Sequence, residues 1–246
     1  AIIRRHDAVE ALINNSAALY DIKTDLAKVY DLERLMTRII YKAANAKDVK
    51  ALGATCRILP QLKSDLSQIS TQLTRSLDKK ISPLDDIADL VERAIADEPP
   101  ALMKDGGYIK NGFNEELDRL RNITGGGKDL LAQIEQQEKE ATGIKNLRVG
   151  YNRVFGYYIE VSKGNVSMVP DRYVRKQTLT NGERYITDEL KKIENEILGA
   201  NDKILALEAA IFAEVREFIA QRLDLIQQTA ESVAALDVLC LSLIHI

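Results

Sequence analysis

The chain has 246 residues, 46% hydrophobic and 29% charged, with a formal net charge of −3. That composition belongs to an ordinary globular protein and excludes both a disordered tail and a cross-linked mini-protein. With no Trp, 5% aromatic residues, five Pro and long stretches of Ala, Leu, Ile, Glu, Lys and Gln, it predicts a mostly helical fold. Cys56 and Cys240 lie too far apart for a disulfide framework or a metal signature and fit a reducing, cytoplasmic compartment. No stretch approaches the ~18 apolar residues of a membrane span, so no membrane partner is expected, and the start at Ala1 lacks the build of a signal peptide.

In chain order, a first helical run is expected from Arg4 to Tyr20. A second starts at Asp31, with Leu32, Leu35, Met36, Ile39 and Ile40 on one face. A third begins near Asp48 and should kink or end at Pro60, and a fourth follows to Lys80. Ser82 reads as an N-cap with Pro83 in the first turn of a fifth helix, which Pro99-Pro100 closes. Asp105 to Gly112 is a turn-rich connector. Asn114-Glu115-Glu116 then starts a helix to about Ala141, with acid at its positive end.

After the segment 145–185, a run from Thr187 to Ala234 contains one Gly, Gly199, and no Pro; as one helix it would reach about 70 Å. Leu190, Ile193, Ile197, Ala200, Ile204, Leu207 and Ile211 form a seam of the coiled-coil kind along it, for which the helix at 114–145 is the natural antiparallel mate. Between the two, Leu147–Tyr151 and Tyr157–Val161 read as strands, with Tyr173–Leu179 a third candidate.

Charge is concentrated in this insert. Residues 145–185 hold eight basic and three acidic side chains, a local charge of +5, which leaves −8 on the remainder. Six of the thirteen aromatic residues fall there too. Asn152, Thr178, Thr180 and Asn181 add neutral hydrogen-bonding groups, a mixture suited to phosphate contacts. The bland reading is a solvated basic surface on a small β module.

Catalytic motifs are missing. Gly125-Gly126-Gly127-Lys128-Asp129 fails the phosphate-loop pattern twice, having Asn122 for the first Gly and Asp129 for the final hydroxyl residue, so a bend within a long helix is expected. His6 and His245 are too few for a metal cluster or a triad. No enzymatic activity is expected of this chain.

The strings Leu147-Arg148-Val149-Gly150-Tyr151-Asn152-Arg153-Val154-Phe155-Gly156-Tyr157-Tyr158-Ile159-Glu160-Val161 and Tyr173-Val174-Arg175-Lys176-Gln177-Thr178-Leu179-Thr180-Asn181-Gly182-Glu183-Arg184-Tyr185 resemble the clamp of bacterial MutS-type DNA mismatch repair proteins. Arg4–Val9, Asp31–Leu35 and Gly107–Asp118 are similar to that family's core and lever region. The resemblance implies a mainly α fold: a helical core (1–113), an ascending lever helix (114–145), a small antiparallel β clamp (146–186) and a descending lever helix (187–239). Residues 240–246 would form a tail foreign to the family.

It also implies non-sequence-specific binding of the duplex DNA backbone, coupled to an ATPase domain outside this stretch. Contacts carried over by position are Asn152, Arg153, Lys176, Thr180, Asn181 and Arg184; Arg175 is added on charge. Position 180, often basic in relatives, is Thr here, which reduces its contact to a neutral hydrogen bond. Four neutralised phosphates would give a slope of log affinity against log salt of about −3 to −4. No cofactor is expected in this stretch, ATP and Mg²⁺ belonging to the ATPase domain. Duplex DNA, a second copy in the full-length protein and other mismatch repair proteins are the expected partners. The alternatives are a structural coiled-coil arm or protein-docking spacer, and the equivalent part of a recombination-type homologue. The missing mismatch-reading segment and nucleotide motifs suggest an excised middle.

Overall fold

The computed structural model describes residues 2–241 apart from 153 and 155; the side chains of 127–129 lie outside the description. Nine α-helices and one four-stranded sheet make up the described residues: α1 Ile2–Asn14, α2 Ser16–Leu26, α3 Leu32–Ile40, α4 Ala46–Ser67, α5 Gln72–Lys80, α6 Asp85–Ala94, α7 Glu115–Thr142, β1 Arg148–Asn152, β2 Gly156–Ser162, β3 Val174–Thr178, β4 Gly182–Ile186, α8 Asp188–Ala220 and α9 Leu223–Leu241. The mainly helical expectation holds. The chain divides into two units, residues 1–113 with 208–246, and residues 114–207.

In the first unit, side-chain caps set most helix starts. Asn15 accepts from the Ala18 N–H and splits the expected first run into α1 and α2, while Asp31 caps α3 by accepting from Arg34 N–H. Asn45 and Asp48 close a reciprocal capping box at α4. On α3, Leu32, Leu35 and Ile39 are buried, whereas Ile40 is exposed. Gly53 lets α4 approach α6: a Cβ there would lie 2.5 Å from Val91 Cγ1.

Three local expectations give way to tertiary packing. Pro60 neither ends α4 nor splits it, because Leu52, Cys56, Leu59, Leu62 and Leu66 are all buried along that helix and outweigh a missing backbone bond. Ser82 is not the cap of α6: its N–H donates to Thr229 Oγ1 at 3.0 Å. The N-cap is Leu84, left-handed at φ 54° and buried, so burial of its side chain sets the backbone there. The long run from Thr187 breaks at Gln221-Arg222 with neither Gly nor Pro present. Arg222 is held there by Asp86 and by the ring of Phe218, 3.5 Å from its guanidinium carbon, and α9 then packs on α1, α2, α3 and α5. Cys240 and Leu241 continue α9; the rest of the expected foreign tail, 242–246, lies outside the described residues.

In the second unit, Asn114 caps α7 as expected, its Oδ1 accepting from Leu117 N–H at 2.9 Å. The helix continues through Gly125 and Gly126. Residues Leu190, Ile193, Ile197, Ala200, Ile204 and Leu207 are all buried or half-buried, the line the seam required. A second line at the same heptad spacing, Leu117, Leu120, Thr124, Leu131, Ile134 and Glu138, is buried or half-buried on α7.

The sheet has the order β1-β2-β4-β3 and is antiparallel throughout. Its inner face packs Ile159, Val161, Tyr173 and Tyr185 against Ile134, Ile144, Leu147 and Leu190. The fourth strand, β4, was not anticipated; it reads as polar because Glu183 and Arg184 lie in its middle, and Tyr185 is its buried anchor. Gly182 and Gly150 permit close approaches within the sheet. A Cβ at Gly182 would meet the Val161 carbonyl oxygen at 2.5 Å, and one at Gly150 would meet the Tyr158 ring at 2.7 Å.

Candidate nucleic-acid interface

The register divides the expected contact residues between two ends of the sheet. Ser162 pairs with Gly182, so the β3–β4 turn with Thr180 and Asn181 lies beside the end of β2. Asn152 pairs with Gly156 at the opposite end. There its Oδ1 accepts from Val154 N–H at 2.8 Å, and the side chain holds the β1–β2 turn together. Arg153 lies outside the described residues.

Thr180 and Asn181 are exposed. The Asn181 carbonyl accepts from Lys163 N–H at 3.0 Å, which ties the turn to the segment after β2. A short chain of amides continues from there: Asn146 Nδ2 donates to Ser162 Oγ at 2.8 Å, and Asn165 Nδ2 donates to Asn146 Oδ1 at 2.7 Å. Lys163 therefore stands beside Asn181, and Lys145 directly precedes Asn146; both lysines are exposed and without an ion pair among the described residues. They count toward the basic segment, but the family positions do not include them.

On the edge strand β3, the register shifts between Arg175 and Gln177, a bulge that leaves Lys176 outside the paired register. Lys176 is exposed and without an ion pair among the described residues, and with Val154, Tyr157, Ile186, Lys191 and Glu194 it lines a hollow of about 260 Å³. Arg175 is exposed and reaches Glu183 Oε1 at 3.3 Å, a loose contact.

Arg184 differs from the free donor expected of it. Its Nε donates to Glu160 Oε2 at 2.9 Å, its Nη1 donates to Gln177 Oε1 at 3.0 Å, and its guanidinium lies 4.3 Å from the centre of the Tyr158 ring. Arg172 is spent more fully: both of its terminal nitrogens bond Glu138, at 2.7 and 2.6 Å. The +5 of the segment thus overstates its open charge: among the described residues, Lys145, Arg148, Lys163 and Lys176 are its exposed cations outside any ion pair.

Burial and acids shape the titration of the neighbouring groups. Burial and the hydrogen bond to Glu183 push the Tyr185 hydroxyl up to about 12. Burial and Glu138 push Tyr173 up as well. The Lys139 ammonium, and then the Val149 N–H at 2.9 Å, hold Glu135 below the usual carboxylate range. The Tyr173 and Tyr185 hydroxyls therefore stay neutral across neutral pH.

The backbone of Gly125-Gly126-Gly127 is helical within α7, so its N–H groups serve that helix and not a nucleotide phosphate. Among the described residues, no three His, Cys, Asp or Glu side chains gather closely enough for a metal ion. None of the described helices is long and apolar enough to cross a membrane.

Residues 112–203 match MutS family domain IV, a span that contains α7, the whole sheet and the first half of α8. The chain is 50% identical over 239 residues to the DNA mismatch repair protein MutS of Caldicellulosiruptor bescii, covering 97% of this chain and 28% of that protein. It is 47% identical over 238 residues to the MutS of Caldanaerobacter subterraneus subsp. tengcongensis, covering 97% and 27%. The Halothermothrix orenii MutS is 46% identical over 235 residues, covering 96% and 26%. With its sheet and flanking helices inside the matched domain and its core aligned as well, the chain belongs to the MutS family and spans about a quarter of the length of the curated relatives it matches.

Proposed function

We propose that the second unit grips the backbone of duplex DNA without reading its sequence, as the clamp of a mismatch repair protein. In this reading α7 and α8 are antiparallel levers, and they transmit the grip to an ATPase domain elsewhere in the parent protein. A second copy closes on the duplex from the other side, and other repair proteins act on the assembled clamp.

The observation that carries the reading is the set of exposed lysines, Lys145, Lys163 and Lys176, without an ion pair among the described residues: Lys163 adjoins Asn181, Lys145 precedes Asn146, and Lys176 stands on the edge strand β3. Phosphates are met by such a mixture of cations and neutral donors, and no base-reading element stands among these residues. Antiparallel levers are supported by the two heptad-spaced buried lines and by the pairing of Ile134 with Leu190 in one core while Glu116 senses the Lys203 charge farther along.

A structural-arm reading draws on Arg172, Arg175 and Arg184, whose acidic partners partly neutralise the sheet. Fluorescence anisotropy with two unrelated duplexes, each with and without a mismatch, separates the readings. Equal affinity for all four, falling with added salt, is the expected result; absence of binding at low salt refutes the proposal for this chain.

A further inference from the structure

Glu138 is the only buried carboxylate of the second unit among the described residues, 3% exposed. It lies one turn beyond Ile134 on α7, in a line that is otherwise apolar or small, so its charge needs a partner. Both of its oxygens accept from the Arg172 guanidinium, and Oε2 also accepts from the Tyr173 hydroxyl at 2.8 Å. Arg172 and Tyr173 immediately precede β3.

That strand is held by hydrogen bonds on one side only, to β4, and the bulge at Arg175/Gln177 weakens the ladder there. The Glu138 contacts are therefore the second restraint on the edge that presents Arg175 and Lys176. A buried ion pair is weak evidence of net stability compared with a packed apolar substitute, and its geometric selectivity is the more telling property.

We propose that Glu138 is a positioning residue for DNA binding: buried and remote from any phosphate, it pins the start of β3 to α7 and so fixes where Lys176 points. This rests on the clamp reading. The sign of the effect distinguishes positioning from plain electrostatics. Glu138→Gln removes a negative charge and releases Arg172, so charge alone predicts tighter binding and a salt slope steeper by up to about 0.9. Loss of positioning predicts weaker binding instead, by at least about twofold, the low end of coupling within one hydrogen-bonded network.

The test is duplex titration of the 246-residue chain at several salt concentrations, with the folded fraction fixed by circular dichroism. It compares Glu138→Gln, Arg172→Lys, which keeps the charge and loses the two-pronged contact, and Tyr173→Phe, which keeps the ring in the core and serves if Glu138→Gln does not fold. Lys176→Glu is run alongside. The expected result is weaker binding by all three network variants with no steeper salt slope. Unchanged or tighter binding by the folded network variants, while Lys176→Glu still weakens it, overturns the inference alone. If Lys176→Glu also binds as the wild type does, the clamp reading itself has failed.

Discussion

A methyl group at Gly182 would wedge β2 from β4. A Cβ there lies 2.5 Å from the Val161 carbonyl oxygen, 0.5 Å inside the 3.0 Å that real Cβ contacts respect, and the obstacle is backbone with no rotamer to change. The strands must part, and the Val161–Glu183 and Ser162–Gly182 pairs are the nearest to yield. Overpacking strain of about 1–3 kcal/mol, with one ladder bond worth about 1 kcal/mol, gives a cost of roughly 2–4 kcal/mol for Gly182→Ala. Hydrogen exchange on the β2 and β4 amides should then speed up about thirtyfold or more. Gly164→Ala is the control: nothing lies within 4 Å of its Cβ position, and a change under about 0.5 kcal/mol is expected. If Gly182→Ala keeps wild-type protection in both strands, the tight β2–β4 approach is wrong.

Three further outcomes follow from the packing and the charges. Leu190→Ala, at a fully buried position under the sheet, should destabilise the second unit by about 2–5 kcal/mol in urea unfolding, while exposed Leu205→Ala should cost under about 0.5 kcal/mol. Glu135 has its folded-state pKa depressed, so its contribution is present above the ordinary value of 4.5 and is lost as pH falls through the folded one; the acid limb of the stability profile should flatten below that value in Glu135→Gln, and an unchanged limb would contradict the assignment. Burial pushes the Cys56 thiol up to about 12 and Cys240 up to about 11, so neither should react with a thiol reagent at pH 8 until the chain unfolds.

Much of the fold is written locally. Asn114 and Asp31 announce their helices because a side-chain oxygen can satisfy an N–H of the first turn whatever the rest of the chain does. The seam on α8 is likewise a matter of spacing. The departures arise where packing outweighs local preference: Pro60 within α4, buried Leu84 in place of Ser82, and the break at Arg222. The strand β4 hides because alternation over five residues is a weak signal when both middle residues are charged.

The interface was legible as a charged segment and not as a set of donors. Sequence counts charges but does not show that Glu138 lies 34 positions before Arg172 yet touches it, or that Arg184 is shared by Glu160 and Gln177. Lys163 is brought beside Asn181 only by the register of β2 on β4. One signal for Glu138 was available: an acid at a heptad position following Leu131 and Ile134 calls for a buried partner.

The salt dependence of duplex binding by the wild-type chain and by the combined variant Lys145→Glu, Lys163→Glu, Lys176→Glu tests the central claim most directly. Three lysines on phosphates predict a wild-type slope of log affinity against log salt near −2.7, or steeper where Arg175 contributes, and a slope close to zero with little binding in the variant. Equal slopes and equal affinities in the two proteins would contradict the account.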